Sequence, residues 1–316
     1  MNATDIHQQD PRQKPGEGPT AATEVGAGMP RVGLLGVGLM GSAMADRLLS
    51  QGFGVIAWDA APAHATPLVQ RGARVVGSAG EVVSNADLVI TMLPTAEIVL
   101  AVVEPLLAQW PKGAIWLQMS SVGAAESDGL GQAAAAHGVI FFDAPVSGST
   151  RPAREGRLTI LAGGPEFARS LVEPILAALG SRVQWVGDAG SGSRLKLAAN
   201  HWMIAGVTAL AEAMYLCELM GLDQQQFVTL LDEGPLGSPY GSEKLGEMTR
   251  HEYAPGFPVR LAVKDLNLVR EVAESAEVEL PVLNASLQRM TDAIADYGEA
   301  DLAAVYEVTI AGRTTR

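Results

Sequence analysis

The chain has 316 residues, 48% hydrophobic and 18% charged, with a formal net charge of −13 and a sequence pI of about 4.8. That length suggests two domains, each with its own core, and the acidic balance disfavours nucleic acid, whose phosphates need a basic surface. A single cysteine, Cys217, excludes an internal disulfide and a cysteine-built zinc site, and the five histidines show no ligand spacing, so no metal is indicated.

Residues 1–30 are rich in Gly, Pro, Gln, Asp and Glu and carry no apolar block. They lack the basic start and apolar core of a secretory signal. They read as a disordered extension, and the cytoplasm is the default location.

Residues 32–35 predict a buried strand that runs straight into Gly36-Val37-Gly38-Leu39-Met40-Gly41, a full G-x-G-x-x-G. Residues 42–50 follow with apolar side chains at helical spacing, Met44 and Leu48 four apart. Strand, glycine turn and helix in that order specify a pyrophosphate site. Gly36 permits the tight turn, Gly38 lets the backbone approach the phosphates and Gly41 lets helix and strand pack closely. The free N–H groups of the helix, with Leu39 and Met40 in its first turn, face the anion.

A second strand, residues 54–58, ends at Asp59, about 20 residues after the glycines, where an acid binds the adenosine ribose hydroxyls. The carboxylate opposes a 2′-phosphate, and no arginine follows in Ala60-Ala61-Pro62-Ala63, so NAD is expected in preference to NADP. The plainer alternative, that Asp59 caps a loop, does not account for its coincidence with strand, glycines and helix.

Further strands are expected at residues 73–76, 88–93, 114–118, 139–142, 158–162 and 183–186, with helices between them such as 98–110 and 124–137. The alternation implies a Rossmann-type, doubly wound parallel sheet, α/β in class, over residues 31–192. Ligands then sit at the carboxyl ends of the strands. After Gly187 to Ser193 the strand signals vanish, and an all-α C-terminal domain is expected over residues 193–316. Its helices are placed at 193–220, 223–231, 261–276 and 281–296. No run of about 18 apolar residues marks a membrane span; the most apolar stretch, 203–216, is broken by Thr208 and Glu212 and reads as too short to cross a bilayer. A helix as apolar as 195–219 needs cover on most faces, from its own domain or from a subunit interface, so a homo-oligomer (dimer or tetramer) is expected.

Lys196 and Asn200 lie four apart and share one face of that long helix, close to the domain junction. A lysine among Leu195, Leu197, Ala198 and Ala199 is poorly explained by solvation; the alternative is a stem that snorkels to water beside the seam. Two loops face the same cleft: Met119-Ser120-Ser121 and Asp143-Ala144-Pro145-Val146-Ser147-Gly148-Ser149. Their hydroxyls and backbone N–H groups suit a carboxylate, though they are also ordinary loop residues.

At this point the chain resembles the β-hydroxyacid dehydrogenase family, the group of 3-hydroxyisobutyrate dehydrogenase and tartronate semialdehyde reductase. The resemblance covers residues 32–310. It rests on Gly36 to Ala45 (G-x-G-x-M-G-x-x-M-A), Asp143 to Gly148 (D-A-P-V-S-G), Gly190, Gly192, Lys196 and Asn200 (G-x-G-x-x-x-K-x-x-x-N), and Lys264-Asp265-Leu266. It implies a hydride transfer between NAD and a small 3-hydroxy acid or the matching semialdehyde acid. In that scheme Lys196 is the acid/base, and Asn200 holds the substrate. Ser147 and Gly148 bind its carboxylate, Leu93, Pro94 and Ser121 line the nicotinamide side, and Lys264 closes over the cofactor. A lysine suits the task when burial lowers its pKa toward neutrality.

Three departures from the family pattern point to a shifted specificity. Ser149 stands at the second glycine of S-G-G and would reach into the substrate loop. Arg151 and Pro152 replace small residues, and Gln118 replaces a common aspartate. Among rivals, imine reductases share the fold but usually replace the lysine and lack D-A-P-V-S-G. The chain is too short for a 6-phosphogluconate dehydrogenase, and a non-catalytic dinucleotide-binding module would tend to lose Lys196.

Overall fold

The structure, a computed structural model, describes residues 29–312; most of the extension read at residues 1–30 lies outside the described residues. Among the described residues there are nine strands: β1 (Arg31–Leu35), β2 (Gly54–Trp58), β3 (Arg74–Val75), β4 (Leu88–Thr91), β5 (Ile115–Gln118), β6 (Ile140–Asp143), β7 (Val146–Ser147), β8 (Leu158–Gly163) and β9 (Gly180–Gly187). They form one sheet in the order β3-β2-β1-β4-β5-β6-β8-β7, with β9 paired to β8. The first six pair in parallel, as the alternating pattern predicts. Beyond them β8 runs antiparallel to β6 and β7, then parallel to β9. The reversal has a simple cause. β6 and β7 run the same way along β8, and the chain turns back between β7 and β8 through the ten residues 148–157, fewer than the dozen or so that a parallel crossover needs.

β4 and β5 are buried along their whole length. Their unbroken apolar reading follows from cover on both sheet faces. On one face Leu34, Ile90, Leu117, Phe142 and Ile160 pack beneath α1 (Leu39–Ser50), α2 (Pro62–Val69), α6 (Thr150–Glu155) and α7 (Arg169–Leu179). On the other, Leu35, Val89, Trp116 and Phe141 meet α3 (Ala79–Asn85), α4 (Ala96–Leu107) and α5 (Ala124–Ala136). Trp116 packs edge-on to Phe141 with centroids 5.0 Å apart, and its indole N–H donates to Thr91 Oγ1 at 2.9 Å, so its one polar atom is satisfied at depth.

The remaining helices are α8 (Ser191–Leu219), α9 (Gln224–Glu233), α10 (Pro239–Arg250), α11 (Val259–Ser275), α12 (Pro281–Tyr297) and α13 (Val305–Ala311). α8 runs for 29 residues and is long and apolar enough to cross a membrane by length and composition, contrary to the shorter stretch expected from the sequence. The breaks at Thr208 and Glu212 do not stop it. Thr208 turns its hydroxyl back to Ile204 O at 3.0 Å. Leu197, Asn200, Ile204, Val207, Ala211 and Met214 are buried at helical spacing. All of these but Asn200 form a core with Leu245 and Met248 of α10, Leu266 of α11 and Met290 of α12.

Candidate active site

The glycine turn opens on the carboxyl end of β1. Gly36 has φ +99°, and a Cβ there would lie 2.3 Å from Met92 O. Gly41 leaves no more room: its Cβ would stand 2.0 Å from Gly36 O, so α1 can press against the turn only without a side chain. Gly38 differs from both, because a Cβ there would meet nothing within 4 Å. The space over Gly38 is open, Leu39 next to it is exposed, and α1 has neither a side-chain cap nor an acid in its first turn. Uncapped N–H groups and open backbone are what an incoming pyrophosphate requires. The residues therefore fit a dinucleotide.

Asp59 closes this end. Its Oδ2 accepts the Val37 N–H at 2.7 Å and its Oδ1 accepts the Ala61 N–H at 2.8 Å. The carboxylate thus holds both the glycine turn and the entry to α2. The turn passes directly to the next loop, because the space that a Gly36 side chain would fill belongs to Met92 and Leu93.

The loops after β4 and β5 are tied together by one serine. Ser120 Oγ accepts the Leu93 N–H at 2.8 Å, and Ser120 in turn is held by Gln118, whose Oε1 accepts its N–H at 2.6 Å and whose Nε2 donates to its carbonyl at 2.9 Å. Gln118 is fully buried. Its amide faces the turn after β5, so any effect on the cleft passes through Ser120. An ionised aspartate there could accept the Ser120 N–H but could not donate to its carbonyl.

Lys264 spans the cleft from α11. Its ammonium donates to Ser121 O at 2.7 Å and Pro94 O at 3.4 Å, and lies 2.9 Å from Asp265 Oδ1. The other carboxylate oxygen of Asp265, Oδ2, accepts Nδ2–H of Asn200 at 2.5 Å. Pro94, Ser121, Lys264 and Asn200 are therefore joined through one buried acid. Asp265 is the residue that sequence reasoning missed as a functional group. A signal existed: it stands on the buried stripe Val259, Ala262, Leu266, Val269 and Ala273 of α11, where an unpaired charge would be costly.

Lys196 is partly buried one helical turn before Asn200. Burial lowers its pKa from 10.5 to about 8; the Asp265 charge opposes that change and the Lys264 charge adds to it. Its helix is fixed by Asp143, at the end of β6. Asp143 is fully buried and accepts the Gly190 N–H at 2.7 Å and the Ser193 N–H at 2.6 Å. Burial pushes the Asp143 carboxyl up, and these hydrogen bonds pull against it. Gly192 brings the helix close, since a Cβ there would lie 2.1 Å from Leu161 O. The first residue of the D-A-P-V-S-G block thus anchors the lysine helix.

Ser147, the last residue of β7, and Gly148 after it are exposed where the chain leads into α6. Ser149 is the residue before that helix, and its hydroxyl makes no capping hydrogen bond. Pro152 lies against Gly148, while Arg151 is 82% exposed and pairs with Glu155 one turn on.

Two family models match the chain. One, described as the NAD binding domain of 6-phosphogluconate dehydrogenase, covers residues 31–187. The other, described as the NAD-binding domain of NADP-dependent 3-hydroxyisobutyrate dehydrogenase, covers residues 190–309. Glyoxylate/succinic semialdehyde reductase 1 of Arabidopsis thaliana is 33% identical over 280 residues, which is 87% of this chain and 97% of the relative. The 2-(hydroxymethyl)glutarate dehydrogenase of Eubacterium barkeri is 31% identical over 88% of this chain and 94% of its own length. Among solved structures, 3-hydroxyisobutyrate dehydrogenase of Mycobacterium tuberculosis, with L-serine, superposes with a TM-score of 0.83 at 28% identity, covering 89% of this chain and 99% of that one. An imine reductase from Pseudomonas sp. matches with a TM-score of 0.59 at 23% identity over 88% of this chain and 99% of that one, a likeness of fold alone.

Proposed function

The chain belongs to the β-hydroxyacid dehydrogenase family, and from that premise we propose how its cleft divides the work. It is an NAD(P)-dependent oxidoreductase acting on the CH–OH group of a small hydroxy acid, or on the matching carbonyl acid in reverse. The nicotinamide, when bound, supplies or accepts the hydride. The chain's own part is to move one proton and hold one carboxylate.

Lys196 is the proton carrier. As the free amine it takes the hydroxyl proton of a 3-hydroxy acid; as the ammonium it returns that proton to the forming alkoxide. A pKa of about 8 leaves both forms accessible near neutrality. This is the observation that carries the reading, because an exposed lysine would stay protonated. Asn200, turned by Asp265, offers its remaining amide hydrogen and its carbonyl to the substrate oxygen without altering the charge. Ser147, Gly148 and Ser149 offer hydroxyls and N–H groups to the carboxylate. Lys264 holds the Pro94 and Ser121 loops to α11 over the cofactor. NAD is the preferred cofactor, since Asp59 places a negative charge where a 2′-phosphate would come. The exposed Trp202, Leu216 and Leu219 of α8 support a homo-oligomer, detectable as a multiple of 33.0 kDa by light scattering.

The test is a panel of short 3-hydroxy acids and semialdehyde acids assayed with both cofactors. Turnover of at least one acid with NAD, lost in Lys196→Ala, is the expected result. Turnover with NADPH alone would overturn the cofactor preference, and reduction of cyclic imines alone would overturn the substrate class.

A further inference from the structure

Asp59 has a third partner, the imidazole of His64, whose Nδ1 lies 3.1 Å from Asp59 Oδ1. An ionised carboxylate only accepts, so this Nδ1 carries the hydrogen and donates it. We propose that His64 sets how strongly this chain discriminates against a 2′-phosphate on the adenosine ribose. The inference rests on the dinucleotide reading given above.

A carboxylate offers about four acceptor positions. Val37 N–H, Ala61 N–H and His64 occupy three of them. A ribose with both hydroxyls free needs two, so one donor has to leave. The two backbone donors belong to the glycine turn and the entry to α2 and cannot leave without unfolding them. His64 can: it stands in the first turn of α2, with its side chain 58% exposed against 13% for Asp59. Its Nε2 has no protein partner among the described residues, and no lysine or arginine among them pairs with Asp59.

The two cofactors then meet different arrangements. An unphosphorylated ribose displaces the imidazole and takes its place on Asp59. A 2′-phosphate brings negative charge beside a carboxylate, and the imidazole is the hydrogen-bonded neighbour of Asp59 whose side-chain N–H is exposed enough to turn toward it. The exposed ring leaves Asp59 and turns its N–H to a phosphate oxygen. His64 therefore softens the rejection that Asp59 alone would impose.

The experiment is calorimetric titration of the full chain with ADP-ribose and with 2′-phospho-ADP-ribose, for the wild type, His64→Gln and Asp59→Asn. Expected are tighter binding of ADP-ribose by the wild type, and in His64→Gln an ADP-ribose affinity within about twofold of it. The 2′-phosphorylated ligand should bind His64→Gln about tenfold more weakly, and Asp59→Asn should narrow the preference. An unchanged ratio of the two affinities in His64→Gln, or an equal loss for both ligands, would overturn the inference while leaving the dinucleotide site intact. Failure of the folded wild type to bind either ligand would instead overturn the dinucleotide reading and, with it, this proposal.

Discussion

At the glycine turn, position is set by main-chain atoms and by side chains that are missing: Gly36 makes room for Met92 O, Gly41 for Gly36 O, and Gly38 for nothing within the protein. At the lysine end, position is set by side-chain charges from distant segments: Lys264 and Asp265 of α11 reach Ser121, Pro94 and Asn200. The first arrangement is local and offers an anion only backbone dipoles. The second can change its protonation, because burial has moved Lys196 to a pKa of about 8. A cleft that has to bind one partner passively and exchange a proton with the other is served by this division.

The contrast can be broken at either end. Lys196→Ala should lower kcat/KM by about 10²–10⁴-fold, the range of a lost acid/base, with dinucleotide affinity unchanged by titration. Gly41→Ala should do the opposite kind of damage: a backbone clash at 2.0 Å destabilises the fold by about 3 kcal/mol or more, seen in denaturant melts. Asp143→Ala removes the acceptor of two buried N–H groups at the start of α8. It should cost about 2–4 kcal/mol and lower kcat more than it raises KM, because the lysine helix loses its anchor.

Smaller effects sharpen the comparison. Lys196 has its native pKa below its unfolded one, so the buried ammonium costs stability at every pH below about 8, and that cost disappears as pH rises from about 8 to 10.5. Lys196→Met should therefore be more stable than the wild type at pH 7 by about 1–2 kcal/mol, a figure reduced for partial solvent contact. The gain should vanish near pH 10.5. Gly38→Ala is the smallest in stability, under about 0.5 kcal/mol, since nothing stands within 4 Å of the new methyl. Dinucleotide affinity should nevertheless fall, which separates Gly38 from Gly41.

The same division explains which features are legible in the amino-acid sequence. The glycine spacing, the strand preceding it and Asp59 are local, and α1 and β2 stand where that pattern puts them. Lys196 and Asn200 are legible as one helical face because they are four apart. Asp265 is not legible as their partner, since 65 residues separate it from Asn200 and only the packing of α11 on α8 joins them. The antiparallel β7–β8 pairing is hidden for a related reason: β7 has two residues and leaves no periodicity to detect. The start of α3 does carry a plain signal. Ser78 Oγ accepts the Glu81 N–H there at 3.3 Å and lies 3.1 Å from Glu81 Oε1, to which its hydroxyl donates, on the S-x-x-E pattern of a helix start. Gln118 is legible as a departure from the family pattern, but its hold on Ser120 is visible only in the folded turn.

The proposed mechanism stands on Lys196 exchanging the substrate proton at a pKa set by burial and by Asp265. The direct measurement is kcat/KM for oxidation of a 3-hydroxy acid against pH, at saturating cofactor, in the wild type and in Asp265→Asn. The wild type should rise through a single bend near pH 8. Asp265→Asn should be slower and bend at lower pH, because the charge that favours the ammonium is gone. A wild-type profile without a bend between pH 6 and 10, or the same bend in both proteins, would contradict the account.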